Sequence, residues 1–447
     1  MSTPAAANEA PRSSITHRTV LAIALPVVVS NVSTPLIGVV DTAVMGRLPD
    51  PAYIGAVAVG SLIFTFVFWA FGFLRMGTTG LTAQALGANN SDEVVSSLGR
   101  ALLIAAAIGA ALILLQWPIG MIAFSLLEGT ERVETLARSY YEIRIWAAPA
   151  TLANYALLGW FIGIGRTDIG LVLQLVLNIA NIALDALFVL VLGWDVRGVA
   201  AGTVLAECLA ASIGIAIAWR HARKLHGHWN RASLLASERL KRTLVVNRDI
   251  MIRSLALIFV FVWFVAQGAA FGDVALAANA VLMQFIAVSA YFLDGLAFAA
   301  ESLVGRAVGA ASRTNLVAAM KITTVWAVTL AVGACLLIAL FGPAIIDLLT
   351  IDETTRAVAR QYLPWAAVAP FLGVWAFQLD GFFIGATRTS QMRSAMLVSL
   401  LIFLCAWWLL TPYQNHGLWA ALHVHYLARI GTLYYFFPAF VRSVGHN

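Results

Sequence analysis

Asp41 stands in a long apolar segment, where an ionisable side chain costs about 2.5–3.5 kcal/mol to insert. Two prolines, Pro26 and Pro35, precede it in the same segment. Each proline removes a backbone hydrogen bond and weakens a helix where it bends. Because burial favours the neutral form of a carboxyl group, an acid on a bendable helix suits a proton-operated switch. We interpret Asp41 as a coupling residue; the alternative is a hydrated acid near the helix end.

A second acid shares a helical face with two amides. Asn178, Asn181 and Asp185 are spaced i, i+3, i+7, so they lie on one side of a helix. Lipid offers an amide no hydrogen bond, so this side must face the interior of a bundle. Asn181 is placed to hydrogen-bond Asp185 or to help coordinate a cation; a polar contact between helices is the alternative. Thr203 and Glu207 share a face of the next apolar segment at i, i+4.

Several other polar or charged residues interrupt apolar segments and need a partner or a function. They are Arg75, Asp294, Glu301, Gln378 and Asp380. We expect Arg75 to pair with a buried acid. Glu301 is near the polar end of its segment, where hydration or an ion pair with Arg306 is expected.

The elements that must position these residues are membrane-spanning helices. The chain has 447 residues, of which 61% are hydrophobic and 11% charged, whereas soluble domains carry about 25% charged residues. Apolar runs of about 20 residues, enough to cross ~30 Å of hydrocarbon, recur along its length. We predict an all-α integral membrane protein of about twelve transmembrane helices, at 19–46, 54–80, 98–123, 138–162, 169–192, 198–219, 249–271, 276–303, 316–341, 361–385, 394–411 and 417–440.

The two halves of the chain repeat one another. LTAQALGANN at 81–90 aligns with LVGRAVGAAS at 303–312, a shift of 222, and GIGRT at 163–167 aligns with GATRT at 385–389 at the same shift. GVAA at 198–201 aligns with GLWA at 417–420 at a shift of 219. Each half holds an even number of predicted helices, so both enter the membrane from the same side. We predict two pseudo-symmetric six-helix lobes around a central cavity, related by an axis along the membrane normal.

The placement of charge predicts orientation and boundaries. Much of the net charge of +6 falls in one stretch between the halves, the positive-inside pattern of a cytoplasmic loop rather than a nucleic-acid surface. The predicted divisions are a cytoplasmic tail at 1–18, an N-lobe at 19–219, a basic cytoplasmic linker at 220–248, a C-lobe at 249–440 and a cytoplasmic tail at 441–447. We expect a monomer in the inner or plasma membrane, with both termini cytoplasmic and no nucleic-acid partner.

Four segments together carry a family resemblance over essentially the whole chain: DTAVMGRL, FGFLRMGTTGLTAQALG, LDGLAFAAESLVGRAVGA and LDGFFIGATRT. In their order they resemble the multidrug and toxic compound extrusion (MATE) transporters, in the DinF-like branch. The resemblance implies a two-lobed antiporter, not an enzyme, that exports amphipathic or cationic organic compounds by alternating access against inward H⁺ or Na⁺. It implies no cofactor and no resident metal beyond the coupling ion.

The resemblance also implies site residues. Asp41, Asn181, Asp185 and Thr203 match the N-lobe network of the DinF-like pattern, with H⁺ or Na⁺ at the two acids. Other branches use acids of the seventh and tenth helices in the C-lobe. Asp380 matches the tenth-helix position, but the predicted seventh helix has no central acid, so coupling is expected in the N-lobe.

Two other functions are alternatives to an antiporter. A flippase for a lipid-linked precursor shares the broad architecture but requires a basic cavity, for which Arg75 and Arg429 are the only embedded candidates. An intramembrane aspartyl protease usually carries a Gly-x-Gly-Asp element, whereas Phe377, Gln378 and Leu379 precede Asp380.

Overall fold

The computed structural model describes residues 15–126, 130–225, 227, 234 and 236–445, and within them the chain forms helices and no strands. A short helix, Gln116–Leu126, precedes α4. The long helices are α1 (His17–Met45), α2 (Ala52–Gly87), α3 (Ser91–Leu114), α4 (Glu131–Gly163), α5 (Thr167–Val191), α6 (Asp195–Lys224), α7 (Ser237–Ala269), α8 (Asp273–Gly309), α9 (Arg313–Leu349), α10 (Glu353–Gly385), α11 (Thr389–Leu410) and α12 (Gln414–Arg442).

Membrane-spanning length and hydropathy confirm the predicted all-α fold. Among the described residues, ten helical stretches are long and apolar enough to cross a membrane. The last of them contains both α11 and α12, and α1 has 29 residues, so each of the twelve predicted helices has its counterpart. Large apolar side chains such as Leu348, which is 85% exposed, point outward, as expected where lipid replaces water.

The helices are longer than predicted around the middle of the chain. α6 continues to Lys224 and α7 already begins at Ser237, so both extend into the predicted linker at 220–248. Most of the linker between them, together with 1–14 of the N-terminal tail and 446–447, lies outside the described residues. The division into lobes at these boundaries stays a prediction.

Two helices depart locally from α geometry. α2 is interrupted at Phe71 and Gly72, between its parts Ala52–Ala70 and Phe73–Gly87. α5 changes after Asp185 into a π-helical turn, Ala186–Val191. Such turns are frequent at functional sites, because they redirect side chains at one point of a helix.

The repeat seen in the sequence is also a repeat of packing. A Cβ atom placed on Gly159 of α4 would lie 2.3 Å from the carbonyl oxygen of Arg75 in α2. At the shift of 222, a Cβ on Gly381 of α10 would lie 2.7 Å from the carbonyl oxygen of Ala297 in α8. Only glycine permits so close an approach of two helix backbones. α4 therefore packs on α2 as α10 packs on α8.

The turns repeat as well. Left-handed backbone occurs at Asn89 (φ 54°) and, 222 residues later, at Ala311 (φ 49°). Gly165 (φ 67°) and Thr387 (φ 51°) form a second such pair. These turns follow α2, α8, α4 and α10, at the end of the bundle that we call the basic end, defined by Arg166, Arg306, Arg313 and Arg388.

α1 lies between the two lobes. Its Asn31 donates a hydrogen bond from Nδ2 to the backbone oxygen of Tyr291 in α8, at 3.2 Å. Its Ser33 accepts at Oγ, at 3.0 Å, from Nδ2 of Asn178 in α5. The helix runs unbroken through Pro26 and Pro35. The predicted switch helix therefore touches both halves of the molecule.

Candidate functional site in the first lobe

A cavity of about 730 Å³ opens among helices of the first lobe. Polar lining residues include Asp41, Tyr140, Arg144, Asn181, Thr203 and Glu207. Among all the lining residues, Tyr291 alone comes from the second lobe. Aromatic side chains, such as Phe64 and Phe68, supply much of the wall. The volume is that of a site for a drug-sized molecule.

Two acids on different helices meet at this cavity. The buried side chains of Asp41 and Asp185 lie next to each other, close enough for their carboxyl groups to interact electrostatically. No N–H or O–H group of the described residues donates a hydrogen bond to either oxygen of Asp185. An ionised carboxylate only accepts hydrogen bonds. The contact is therefore favourable only when a proton or a cation bridges the two groups.

Amide and hydroxyl groups arrange the rest of this network. Thr203 donates its hydroxyl to the backbone oxygen of Val199, at 2.9 Å, and accepts from Nδ2 of Asn181, at 3.1 Å. Oδ1 of Asn181 is left without a hydrogen-bond donor among the described residues. The network thus presents several buried acceptor oxygens and too few donors. The structure brings together Asp41, Asn181, Asp185 and Thr203, the four residues predicted from the sequence.

Gly202 makes room for the Asp185 carboxylate. A Cβ atom on Gly202 would lie 2.2 Å from Oδ1 of Asp185, well inside van der Waals contact. α6 can approach α5 at this point because it carries no side chain there. Local sequence does not mark this glycine, since its effect depends on a neighbouring helix.

Glu207 is held on the same side of the cavity by two groups. Asn154 donates a hydrogen bond from Nδ2 to Oε2 of Glu207, at 2.7 Å. Nη2 of Arg144 lies 3.6 Å from Oε1, an ion pair. Arg144 is 8% exposed and was missed although it stands within the predicted helix 138–162. The need of Glu207 for a counter-charge was the available signal.

The tenth-helix acid of the second lobe is already neutralised by arginines. Oδ2 of Asp380 accepts from Arg429 at 2.6 Å and from Arg253 at 3.2 Å. Arg253 belongs to α7, and all three side chains are buried. Arg144 and Arg253 show that the prediction of Arg75 and Arg429 as the only embedded bases was wrong. Lone arginines flanked by apolar residues were the missed signal.

Arg75 pairs with a buried acid, as predicted. Its Nη1 lies 2.9 Å from Oε2 of Glu301, and its guanidinium lies 3.8 Å from the ring centre of Phe298. Glu301 is 2% exposed, so the expectation of hydration or of a pair with Arg306 was wrong. Local spacing suggested Arg306, but the packing of α2 on α8 brings Arg75 closer.

The remaining candidates lie apart from the first-lobe cavity. Gln378 of α10 is buried, and neither amide atom has a hydrogen-bond partner among the described residues. Asp294 lies on α8, within electrostatic reach of Arg75, Glu301 and Arg253. Asn178 makes its hydrogen bonds elsewhere: its Oδ1 accepts from Gln174 at 2.8 Å, and its Nδ2 donates to Ser33 of α1 at 3.0 Å.

Among the residues that the structure describes, twelve long helices form two related lobes, and a cavity lined by buried acids lies inside the first lobe. This combination defines a membrane transporter. The family model described as MatE matches this chain twice, at residues 26–187 and 250–409, once in each half. The chain belongs to the MATE family of multidrug and toxic compound efflux transporters.

Two relatives agree with this membership, and a solved structure shares the fold. The chain is 41% identical over 410 residues to DNA damage-inducible protein F of Escherichia coli (strain K12), covering 90% of this chain and 88% of the relative. It is 25% identical over 436 residues to Protein DETOXIFICATION 44, chloroplastic, of Arabidopsis thaliana, covering 92% and 80%. A structure described as the outward-facing conformation of a multidrug resistance MATE family transporter has a TM-score of 0.87 at 16% identity, covering 96% and 97%.

Proposed function

We propose that this MATE transporter is an antiporter that exports amphipathic or cationic organic compounds by alternating access, driven by the entry of H⁺ and/or Na⁺ at Asp41 and Asp185. The observation that carries the proposal is the proximity of these two buried acids, with three of their oxygens receiving no hydrogen bond from the described residues. A bridging proton or cation completes the contact. Without it, the two negative charges repel each other.

Competition for the same negative charge supplies the coupling. The Asp41 side chain lines the cavity, so a cationic substrate there is stabilised by the ionised carboxylates that a proton or Na⁺ neutralises. Binding of the ion and of the substrate therefore oppose each other, with reciprocal effects on affinity. Exchange of one for the other across the membrane is antiport. The aromatic wall supports the proposal, because aromatic faces attract organic cations.

α1 is the helix that links the exchange of ion for substrate to a change in the arrangement of the two lobes. It carries Asp41, contacts α5 through Ser33 and contacts α8 through Asn31. When the proton leaves, repulsion between Asp41 and Asp185 drives α1 away from α5. The missing backbone hydrogen bonds at Pro26 and Pro35 lower the cost of bending.

The basic end is proposed to face the cytoplasm, with both termini on that side. The ends of α2, α4, α8 and α10 meet there, and arginines stand in or beside the connections after α4, α8 and α10, the distribution expected of cytoplasmic loops. The inner or plasma membrane is the corresponding location.

Proteoliposomes test the proposal. Purified protein is reconstituted, and a pH-sensitive dye records proton release when a cationic dye such as ethidium is added, with and without Na⁺. If H⁺ is the coupling ion, wild type is expected to release protons when the dye is added; if Na⁺ is the coupling ion, exchange is expected only when Na⁺ is present. Asp41→Asn and Asp185→Asn are expected to abolish exchange in either case. Asp168→Asn is the matched control, because Asp168 is an exposed acid of α5 paired with Arg166. Transport by Asp41→Asn at the wild-type rate under a proton gradient overturns the proposal.

A further inference from the structure

Arg144 is a guanidinium on the cavity wall whose hydrogen-bonding capacity is largely unused. It is nine-tenths buried and lines the cavity, and its Nη1 has no hydrogen-bond partner among the described residues. Its acid, Glu207, lies 3.6 Å away, beyond normal hydrogen-bonding distance. Glu207 instead receives a 2.7 Å hydrogen bond from Asn154.

Aromatic rings hold this guanidinium in place. Its carbon Cζ lies 5.4 Å from the ring centre of Phe64 and 5.6 Å from that of Phe68. A guanidinium has five N–H donors in a planar fork that matches a carboxylate in two parallel hydrogen bonds. The Arg144 guanidinium is therefore held in place with free N–H donors at the edge of a cavity large enough for an organic molecule. Such a group is a binding site for an acidic group.

The charges around the cavity decide which acidic molecule fits. A purely anionic substrate would bind better when Asp41 is protonated, because protonation removes a negative charge from the cavity. Substrate and proton would then move together, which is not antiport. A purely cationic substrate would leave the donors of Arg144 unsatisfied in a buried site, which is costly. A molecule with both charges satisfies Arg144 with its acidic group and competes with the proton through its cationic group.

We propose that the cavity takes zwitterionic amphiphiles, with the acidic group bound by Arg144 and the cationic group beside Asp41. This rests on the proposed antiport function and narrows its substrate class. Arg144 then determines substrate specificity, and Glu207 is a second acid that keeps the guanidinium oriented when the cavity is empty of substrate.

A matched pair of dyes tests this substrate class. Rhodamine B and its ethyl ester share one cationic ring system and differ in whether the carboxylate is free. Binding to the purified protein is measured by fluorescence anisotropy. Wild type is expected to bind the free acid about tenfold to a hundredfold more tightly, the range for charge-assisted hydrogen bonds. Arg144→Gln is expected to remove that preference by weakening the binding of the free acid without weakening that of the cationic ester.

Arg138→Gln is the control, because Arg138 lies on the same helix but pairs with Glu134 at an exposed position. Equal wild-type affinity for the two dyes, or tighter binding of the ester, overturns the proposal without any variant. Loss of both affinities together in Arg144→Gln also overturns it. Proton release driven by the ester in proteoliposomes separates the two ideas: if it persists while the acid has no advantage, antiport stands and the zwitterion proposal fails.

Discussion

Gly87 and Gly309 are placed reciprocally where the two lobes meet. A Cβ atom on Gly87 of α2 would lie 2.1 Å from the carbonyl oxygen of Arg306 in α8. A Cβ on Gly309 of α8 would lie 2.0 Å from the carbonyl oxygen of Gln84 in α2. The two contacts are related by the shift of 222. A glycine of α2 packs on the backbone of α8, and the corresponding glycine of α8 packs on the backbone of α2. The backbones of α2 and α8 therefore cross at the basic end with no room for a side chain.

Replacing either of these glycines by valine is expected to separate α2 from α8. Overpacking of this kind costs typically about 1–3 kcal/mol, and the two single variants should lose similar thermal stability because the contact is reciprocal. Thermal unfolding in detergent measures the loss. Gly333→Val is the control, since no atom lies within 4 Å of a Cβ there. An effect confined to one of the two variants would contradict the reciprocal geometry.

The pair between Arg75 and Glu301 is expected to stabilise the contact between α2 and α8. Glu301→Gln leaves the Arg75 guanidinium buried without its acid, which typically costs about 3–5 kcal/mol. Thermal unfolding should show a large decrease for Glu301→Gln. The control Glu134→Gln breaks an exposed pair with Arg138 and should change stability by less than about 1 kcal/mol. Adding Arg75→Met to Glu301→Gln should restore part of the loss, and equal losses in the two glutamate variants would argue against a buried pair.

Gly202→Ala is expected to disturb coupling without removing any polar group. The new methyl group would meet the Asp185 carboxylate and push it away from Asp41. A displacement of about 1 Å in a reacting pair can lower a rate by up to about a hundredfold, and we expect at least a tenfold loss of substrate-driven proton release in proteoliposomes. Gly431→Ala, where a Cβ meets nothing within 4 Å, is the control. Wild-type exchange by Gly202→Ala would show that the carboxyl contact is unimportant.

Asp380 is expected to matter for stability rather than for ion coupling. Asp380→Asn leaves Arg253 and Arg429 without their common acid and should cost about 3–5 kcal/mol. The protein that remains folded should still release protons on addition of substrate, in contrast to Asp41→Asn. Thermal unfolding and proton release on the same preparations separate the two effects. A stable Asp380→Asn variant that no longer responds to the ion gradient would place coupling in the second lobe.

The fold was largely predictable because the membrane imposes it. Apolar length predicts the helices, and the recurrence of GIGRT at 163–167 as GATRT at 385–389 predicts the two halves. The internal structure of the helices was less accessible: the break at Phe71 and the π-helical turn after Asp185 depend on neighbours rather than on local composition.

The candidate site was predictable at residues whose type is rare in membrane-spanning segments. Asp41 and Asp185 stand out because acids are scarce in apolar segments, but their contact depends on how α1 packs against α5. Arg144 stands between Ile143 and Ile145 inside a predicted helix, but its acid, Glu207, is on another helix and cannot be assigned from local spacing. Pairs set by helix packing, such as Arg75 with Glu301, leave no trace in local spacing.

The reciprocal crossing at Gly87 and Gly309 has the geometry of an isologous dimer, in which the same patch of each subunit contacts its own copy. Here the two subunits are halves of a single polypeptide, entering the membrane in the same direction. Joining them in one chain frees each half from having to remain identical to the other. The first half retains the carboxyl pair at its cavity, while the second has neutralised its acid with arginines. One shared architecture thus supports a division of labour that a true homodimer, with two identical sites, does not permit.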